Sequence, residues 1–406
     1  MMRIAFRALV LTLLFGRVAL AEFAADVLPI GDVDGQPLAA NVKRVIEALQ
    51  FLGSPLPADE IEKLSAAGKE RDAKQIQKLL DPRVLLLAHI NPESRVKVRR
   101  GPAAAELQQF GFTPVLIKVL NESTVTKRLK LVSPQGGAVY AGASKGSLSR
   151  QQQTELNDNE NSKRDADRFL SVEMFEQPPL TDRLSGLEVE YAIGLILSTE
   201  SGKREATVGI DLEQGNQDIG FRGEVPVLFR VGPAIPVKLD IRDFDGTPTT
   251  AALIVKDRAG RIFPPQPKRL APDLFFQPQV YRVDGESLLL PPGEFTVQFA
   301  RGPEYWVREK NVVVSLRETK SESRSDSATL QLNLERWVNP REFGFYSGDH
   351  HIHAAGCAHY TVPTEGVTPE DMFRQVKGEG LNVGCVLTWG PCYKFQRQFF
   401  QPAPLN

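Results

Sequence analysis

Four of the five histidines in this 406-residue chain fall in one short window, Asp349-His350-His351-Ile352-His353 and His359, with Cys357 between them. Imidazole is the commonest metal ligand. Near pH 7 it is mostly neutral and offers a lone pair without first losing a proton. On a β-strand, side chains alternate between faces, which sets Asp349, His351 and His353 on one side and His350 and Ile352 on the other. Two imidazoles so spaced at a strand end suit one divalent ion, so His351 and His353 are the expected ligands. Asp349 and His359 are the candidates for assisting proton transfer beside it. Imidazole and carboxylate donors suit zinc, manganese or iron. The plain alternative is a polar strand edge.

The elements that must hold this window read as strand, helix, strand. Residues 343–352 form the first strand. Thr368-Pro369-Glu370-Asp371 opens a helix: Thr368 caps it, Pro369 takes the first helical position, and the carboxylates sit at the positive end of the helix dipole. Met372 and Val376 mark its buried face, and residues 378–380 end it. Residues 381–387, apolar apart from Asn382, carry the pattern expected of a buried parallel strand. In parallel α/β folds the site lies at the carboxyl ends of strands. His351, His353 and Thr388-Trp389-Gly390 all fall there.

Gly348-Asp349-His350-His351-Ile352-His353 resembles the "GDLHxHT" opening of the polymerase-and-histidinol-phosphatase (PHP) superfamily of metal-dependent hydrolases. More narrowly it is similar to the carbaryl-hydrolase-like branch, and Gly380-Leu381-Asn382-Val383 continues the match to that family's "GLD" second strand. The resemblance spans about the last 65 residues. It implies an α/β barrel, His351 and His353 as the first metal-ligand pair, and Asp349 as a supporting carboxylate that orients a ligand imidazole. The family's Ser-Asp-Gly reads Cys357-Ala358-His359 here, and its Thr-Asp-His reads Thr388-Trp389-Gly390. His359 is the expected substitute. Two strands and one helix do not close a barrel. The chain is therefore expected to hold only the start of the catalytic domain and to be inactive alone. The lesser alternative is that this short unit packs on the sandwich domains before it.

The preceding chain is mainly β after a short helical lead. Residues 22–82 form a helical region: after an irregular lead-in over 22–40, Asn41 is the expected N-cap, Val42, Val45, Ile46, Leu49 and Leu52 fall on one face, and Gly53 is the stop. Ile61 and Leu64, then Ala73, Ile76, Leu79 and Leu80, mark two further helices. Residues 83–232 read as a β-sandwich. Its apolar run 84–90 contains His89, expected as a packed strand residue, and residues 151–168 form a polar loop. Leu187, Val189, Tyr191, Ile193, Leu195 and Leu197 alternate, and Ala206, Val208, Ile210 and Leu212 answer them across a turn, the pattern of an antiparallel hairpin.

Residues 233–338 form a second sandwich. The stretch from Asp243 to Gly260 and the stretch from Leu290 to Val297 resemble the carboxypeptidase regulatory-like, transthyretin-like module. That likeness implies an accessory domain without catalytic residues. Residues 339–406 hold the α/β start. The fold class is thus mainly β and multidomain, ending in the first βαβ unit of a PHP-like barrel.

Lys and Arg total 49 against 50 Asp and Glu, a net charge of −1 spread along the chain. No basic footprint for nucleic acid exists. Residues 1–21 carry Arg3 and Arg7, a short apolar core and an Ala-x-Ala end, the pattern of a cleaved secretory signal. The mature protein is expected to be secreted or periplasmic without stable membrane insertion. The three cysteines, Cys357, Cys385 and Cys392, are too few for a disulfide scaffold. The expected function is an exported hydrolase of ester, amide or phosphoester bonds in a small-molecule or polymer substrate. The alternative is a non-catalytic secreted β-domain binding protein with a degenerate PHP remnant.

Overall fold

The computed structural model describes residues 27–136, 169–212, 223–269, 271–315, 329–354 and 367–403. Residues 1–21, where a secretory signal is expected, residues 151–168, where a polar loop is expected, and Cys357 and His359 lie outside the described residues.

Helix α1 (Gly35–Phe51) begins earlier than its periodicity suggests: Asp34 is the N-cap and accepts from Gln36 N. Pro37 sits in the first turn, where a missing N–H costs nothing. Asn41 is therefore no cap. It is buried in mid-helix, donating from Nδ2 to Tyr191 O at 3.1 Å and accepting from Tyr191 N at 2.8 Å. The stop is as expected: Gly53 has φ +67°, and a Cβ there would lie 2.9 Å from Ile262 Cβ. Helices α2 (Ala58–Lys69) and α3 (Ala73–Leu80) complete a layer. No described helix is long and apolar enough to cross a membrane.

The first sandwich runs through β1 (Val84–Ile90), β2 (Val96–Arg100), β3 (Glu106–Gln108), β4 (Thr113–Asn121), β5 (Lys130–Val132), β6 (Leu170–Met174), β7 (Val189–Ser198), β8 (Gly202–Asp211) and β9 (Glu224–Gly232). One sheet has the order β2-β1-β4-β7-β6 and the other β3-β9-β8-β5. The expected β7–β8 hairpin is absent, because β7 pairs with β4 and β6, and β8 with β5 and β9. The turn carries the chain from one sheet to the other. The reason lies in β7, which is buried on both faces. Val189, Tyr191, Ile193 and Leu195 pack on the helices, while Ile196 packs in the core between the sheets. Gly194 leaves room on the inner face, where a Cβ would lie 3.0 Å from Leu131. His89 on β1 is half-buried and bonds Glu122 through Nε2 at 2.8 Å.

The second sandwich follows, with β10 (Ile235–Arg242), β11 (Thr250–Asp257), β12 (Ile262–Phe263), β13 (Val280–Val283), β14 (Ser287–Leu290), β15 (Gly293–Ala300), β16 (Arg308–Val314) and β17 (Thr329–Asn333). Sheet β14-β10-β17 faces sheet β12-β11-β15-β16, to which β13 adds on β11. Alternating residues of both fill one core, among them Leu239, Leu253, Val297 and Leu332. The helical layer meets the second sandwich where Ile262 N donates to Gly53 O and Gln266 Nε2 to Phe51 O, each at 2.8 Å.

The chain then forms β18 (Gly348–Ile352), α4 (Pro369–Gly378), β19 (Val383–Val386) and α5 (Pro391–Gln396). Strands β18 and β19 are parallel. The described structure thus contains a βαβ unit and no barrel. Two expectations need correction. The first strand starts at Gly348, because Pro340–Phe343 is a 3-10 turn closed by Gly344 at φ +78°. The second strand is not buried: its residues alternate between exposed and half-buried, since α4 covers one face only.

Candidate metal centre

The histidine window is positioned from below. Thr368 caps α4 as the sequence indicates, its Oγ1 accepting from Asp371 N and donating to Asp371 Oδ2 at 2.8 Å. Met372 and Val376 then bury against Ile352, Leu381 and Val386. Gly384 permits this approach, because a Cβ there would lie 2.6 Å from Val376. Ile352 is thereby held inward, which leaves the neighbouring histidines facing out. Leu387 N donates to Ile352 O at 3.0 Å, so His353 and Thr388 share the carboxyl end of the parallel pair.

The register shifts between Asp349 and Ile352: Asp349 pairs with Gly384 and Ile352 with Val386. One extra residue sits in β18, so the strict alternation expected across the window is broken there. Such bulges re-aim side chains and recur beside functional sites. Asp349 turns back locally, and its Oδ1 accepts from the His351 backbone N–H at 2.9 Å. Its contact is therefore with the histidine main chain, where the resemblance implied an imidazole.

The rings of His351 and His353 have centroids 5.1 Å apart and are tilted by 56°. Zn–N bonds of about 2.0–2.1 Å on a tetrahedral ion place two imidazole centroids about 5 Å apart. The spacing fits a shared ion. His350 stands off to the side, 6.4 Å from His351 and at right angles to it. His351 is exposed and His353 half-buried, so solvent reaches the pair. Among the described residues, no group of three His, Cys, Asp or Glu is assembled to hold a metal. What the described residues bring together at the window is two imidazole rings.

A buried polar cluster was not singled out from the sequence. Lys118 on β4 is fully buried, donating from Nζ to Asp81 Oδ2 at 2.8 Å and to Pro29 O at 2.9 Å, while Tyr191 Oη donates to Asp81 Oδ1 at 2.8 Å. Burial pushes the Lys118 ammonium below its ordinary range and the Tyr191 phenol well above its own. Its one sequence signal is a single charge inside the apolar run of β4. The cluster ties α3 to the sheet, far along the chain from the histidines.

No protein-family model matches the chain, and no curated protein matches it. Among solved structures, it is similar to a variant of BcpA, the major pilin subunit of Bacillus cereus, with 12% identity over 62% of this chain and 69% of that one at a TM-score of 0.20. The Bacillus anthracis TIE protein aligns at 10% identity over 81% of this chain and 59% of that one, TM-score 0.16. The ectodomain of mouse nectin-like molecule 4 aligns at 9% identity over 58% and 77%, TM-score 0.15. Likeness at these scores carries no argument about this chain.

Proposed function

We propose that this chain carries the accessory β-domains and the first metal-binding motif of an exported metal-dependent hydrolase acting on ester, amide or phosphoester bonds. The observation that carries the reading is the His351–His353 pair: two imidazoles at the spacing of a shared ion, at the carboxyl end of a parallel βαβ unit. The likeness of residues 348–353 and 380–383 to the PHP motifs supports it. A bound zinc, manganese or iron ion would supply Lewis acidity to the scissile bond and acidify a water. His351 and His353 would hold the ion, while Ile352 anchors their strand and Asp349 fixes the backbone at the bulge. His359 is the proposed further donor or proton carrier. Export follows from the signal pattern of residues 1–21.

Imidazole nitrogen chemical shifts during titration with Zn2+ test the reading. Ring nitrogens of His351 and His353 should respond together and saturate at one ion per chain, with His350 and His89 unmoved. Independent responses, or none, leave the hydrolase without its centre.

A further inference from the structure

A polar cleft lies away from the histidines. It has a volume of about 420 Å³ and is lined by the turn after β10, the segment after β15, residues 336–346 and the residues just before β19. Tyr346 precedes β18 and Asn382 precedes β19, so the cleft opens at the amino ends of the strands. The imidazoles sit at their carboxyl ends. At about 3.3 Å per residue the two places are about 15 Å apart along β18.

The cleft carries many fixed polar groups and no net charge. Arg301, Arg336 and Arg341 are balanced by Asp243, Asp245 and Glu342, three against three. The two inner guanidiniums are held rigidly. Arg301 is ion-paired with Asp243 and donates from Nε to Lys377 O at 2.9 Å. Arg336 is ion-paired with Glu304 and donates to Val338 O at 3.0 Å. The Arg336 guanidinium also stacks between Phe244 and Tyr305, with centroids at 5.4 and 5.5 Å. The Tyr305 hydroxyl is pushed up to about 12, chiefly by burial, and stays a donor at neutral pH. At the rim, the rings of Phe244 and Tyr346 are 50% and 64% exposed.

Each class of ligand makes a different demand. A phosphate or carboxylate needs surplus positive charge: Arg301 and Arg336 are ion-paired, and Arg341, which lies over the Tyr346 ring, is offset only by the neighbouring Glu342, so the lining as a whole carries none. A metal ion needs converging carboxylates, and those at hand are engaged: Asp243 with Arg301 and a turn amide, Asp245 with a turn amide, Glu342 with the Asn339 side chain. An extended peptide needs an open strand edge for backbone pairing, and turns and loop segments form these walls. An uncharged polyhydroxylated ligand suits all three features: pre-aligned donors and acceptors for hydroxyls, charge neutrality, and the exposed rim rings of Phe244 and Tyr346, each lying near one guanidinium, for the C–H side of a sugar ring. The volume falls within the ~300–1,000 Å³ range of small-ligand pockets.

We infer that this cleft is a binding site for a neutral oligosaccharide, with Phe244 and Tyr346 as stacking platforms and Arg301, Arg336, Tyr305 and Asn382 as hydroxyl partners. The site is independent of the metal proposal, and its occupant bridges the second sandwich and the α/β unit.

The test is titration of the purified chain with cellotetraose, xylotetraose and N-acetylated chitotetraose, read by amide NMR. At least one tetramer should bind saturably with Kd below about 1 mM. Phe244→Ala and Tyr346→Ala, both at exposed positions, should each weaken it about tenfold or more, and His351→Ala/His353→Ala should leave it unchanged. No saturable binding by any tetramer, wild-type affinity in both aromatic variants, or displacement of the tetramer by millimolar inorganic phosphate would overturn the inference.

Discussion

At the scale of single residues, the buried groups give the sharpest predictions. Removing one partner from a buried ion pair strands the other charge. Lys118→Met should therefore lower unfolding stability by about 3–5 kcal/mol. Lys118→Met/Asp81→Asn should recover part of that loss, because the amide oxygen that replaces the carboxylate still accepts from Tyr191. Urea denaturation of both variants checks this, and an equal or larger loss in the double variant would contradict it. Glu190 titrates differently. Burial raises its carboxyl above the ordinary 4.5, and hydrogen bonds from Ser185 oppose this only in part. With the folded pKa raised, the stabilisation belongs to the protonated form. It is complete below about pH 4.5 and is lost as pH rises through the folded value. Glu190→Gln removes that titration, so the variant should gain on wild type between about pH 4 and pH 7. Parallel stability curves would contradict the assignment. The nearness of the His351 and His353 rings was legible at this scale, because it follows from residue type and a spacing of two along one segment. The Lys118–Asp81–Tyr191 cluster was not, because its members lie 37 and 110 positions apart from Asp81 and only packing joins them.

At the scale of elements, local signals served where the partner was local. Thr368 and Pro369 open α4 as read, and Gly53 stops α1 as read, since caps and left-handed turns depend on neighbours in sequence. Asn41 looked like a cap for the same chemical reason that it is useful in the core: its amide pairs with backbone. Below Gly194, β7 has run past its partner β6, and Asn41 takes up the free main-chain groups of Tyr191. Asn41→Ala would orphan a buried N–H and a buried C=O, at about 1–3 kcal/mol per group. The Tyr191 amide should lose hydrogen-exchange protection while the amides of α2 keep theirs. Unchanged protection at Tyr191 would show that the bond is dispensable. The missing β7–β8 hairpin marks the limit of pattern reading. Alternation tells which residues share a face, but a short turn can return within a sheet or cross to the facing one.

At the scale of the molecule, the α/β unit is docked on the second sandwich, a placement the sequence weighed only as the lesser of two alternatives. Arg374 Nη1 reaches both oxygens of Glu286 at 2.8 Å, Tyr281 Oη donates to Glu379, and Gln375 Nε2 donates to Pro272 O at 2.8 Å. Gly378 lets α4 press on β13, since a Cβ there would lie 2.4 Å from the Tyr281 ring. Gly378→Val should lift the helix from the sandwich. Limited proteolysis should then cut residues 367–403 faster while the sandwiches stay intact, and an unchanged cleavage pattern would deny the docking any role. Because α4 also backs Ile352, this contact steadies the strand that carries the histidines. The central claim is that His351 and His353 together hold one divalent ion. Elemental analysis of dialysed protein, wild type beside His351→Ala/His353→Ala, tests it most directly. The account predicts about one bound ion per wild-type chain and a near-complete loss in the double variant. Equal metal content in the two proteins would contradict it.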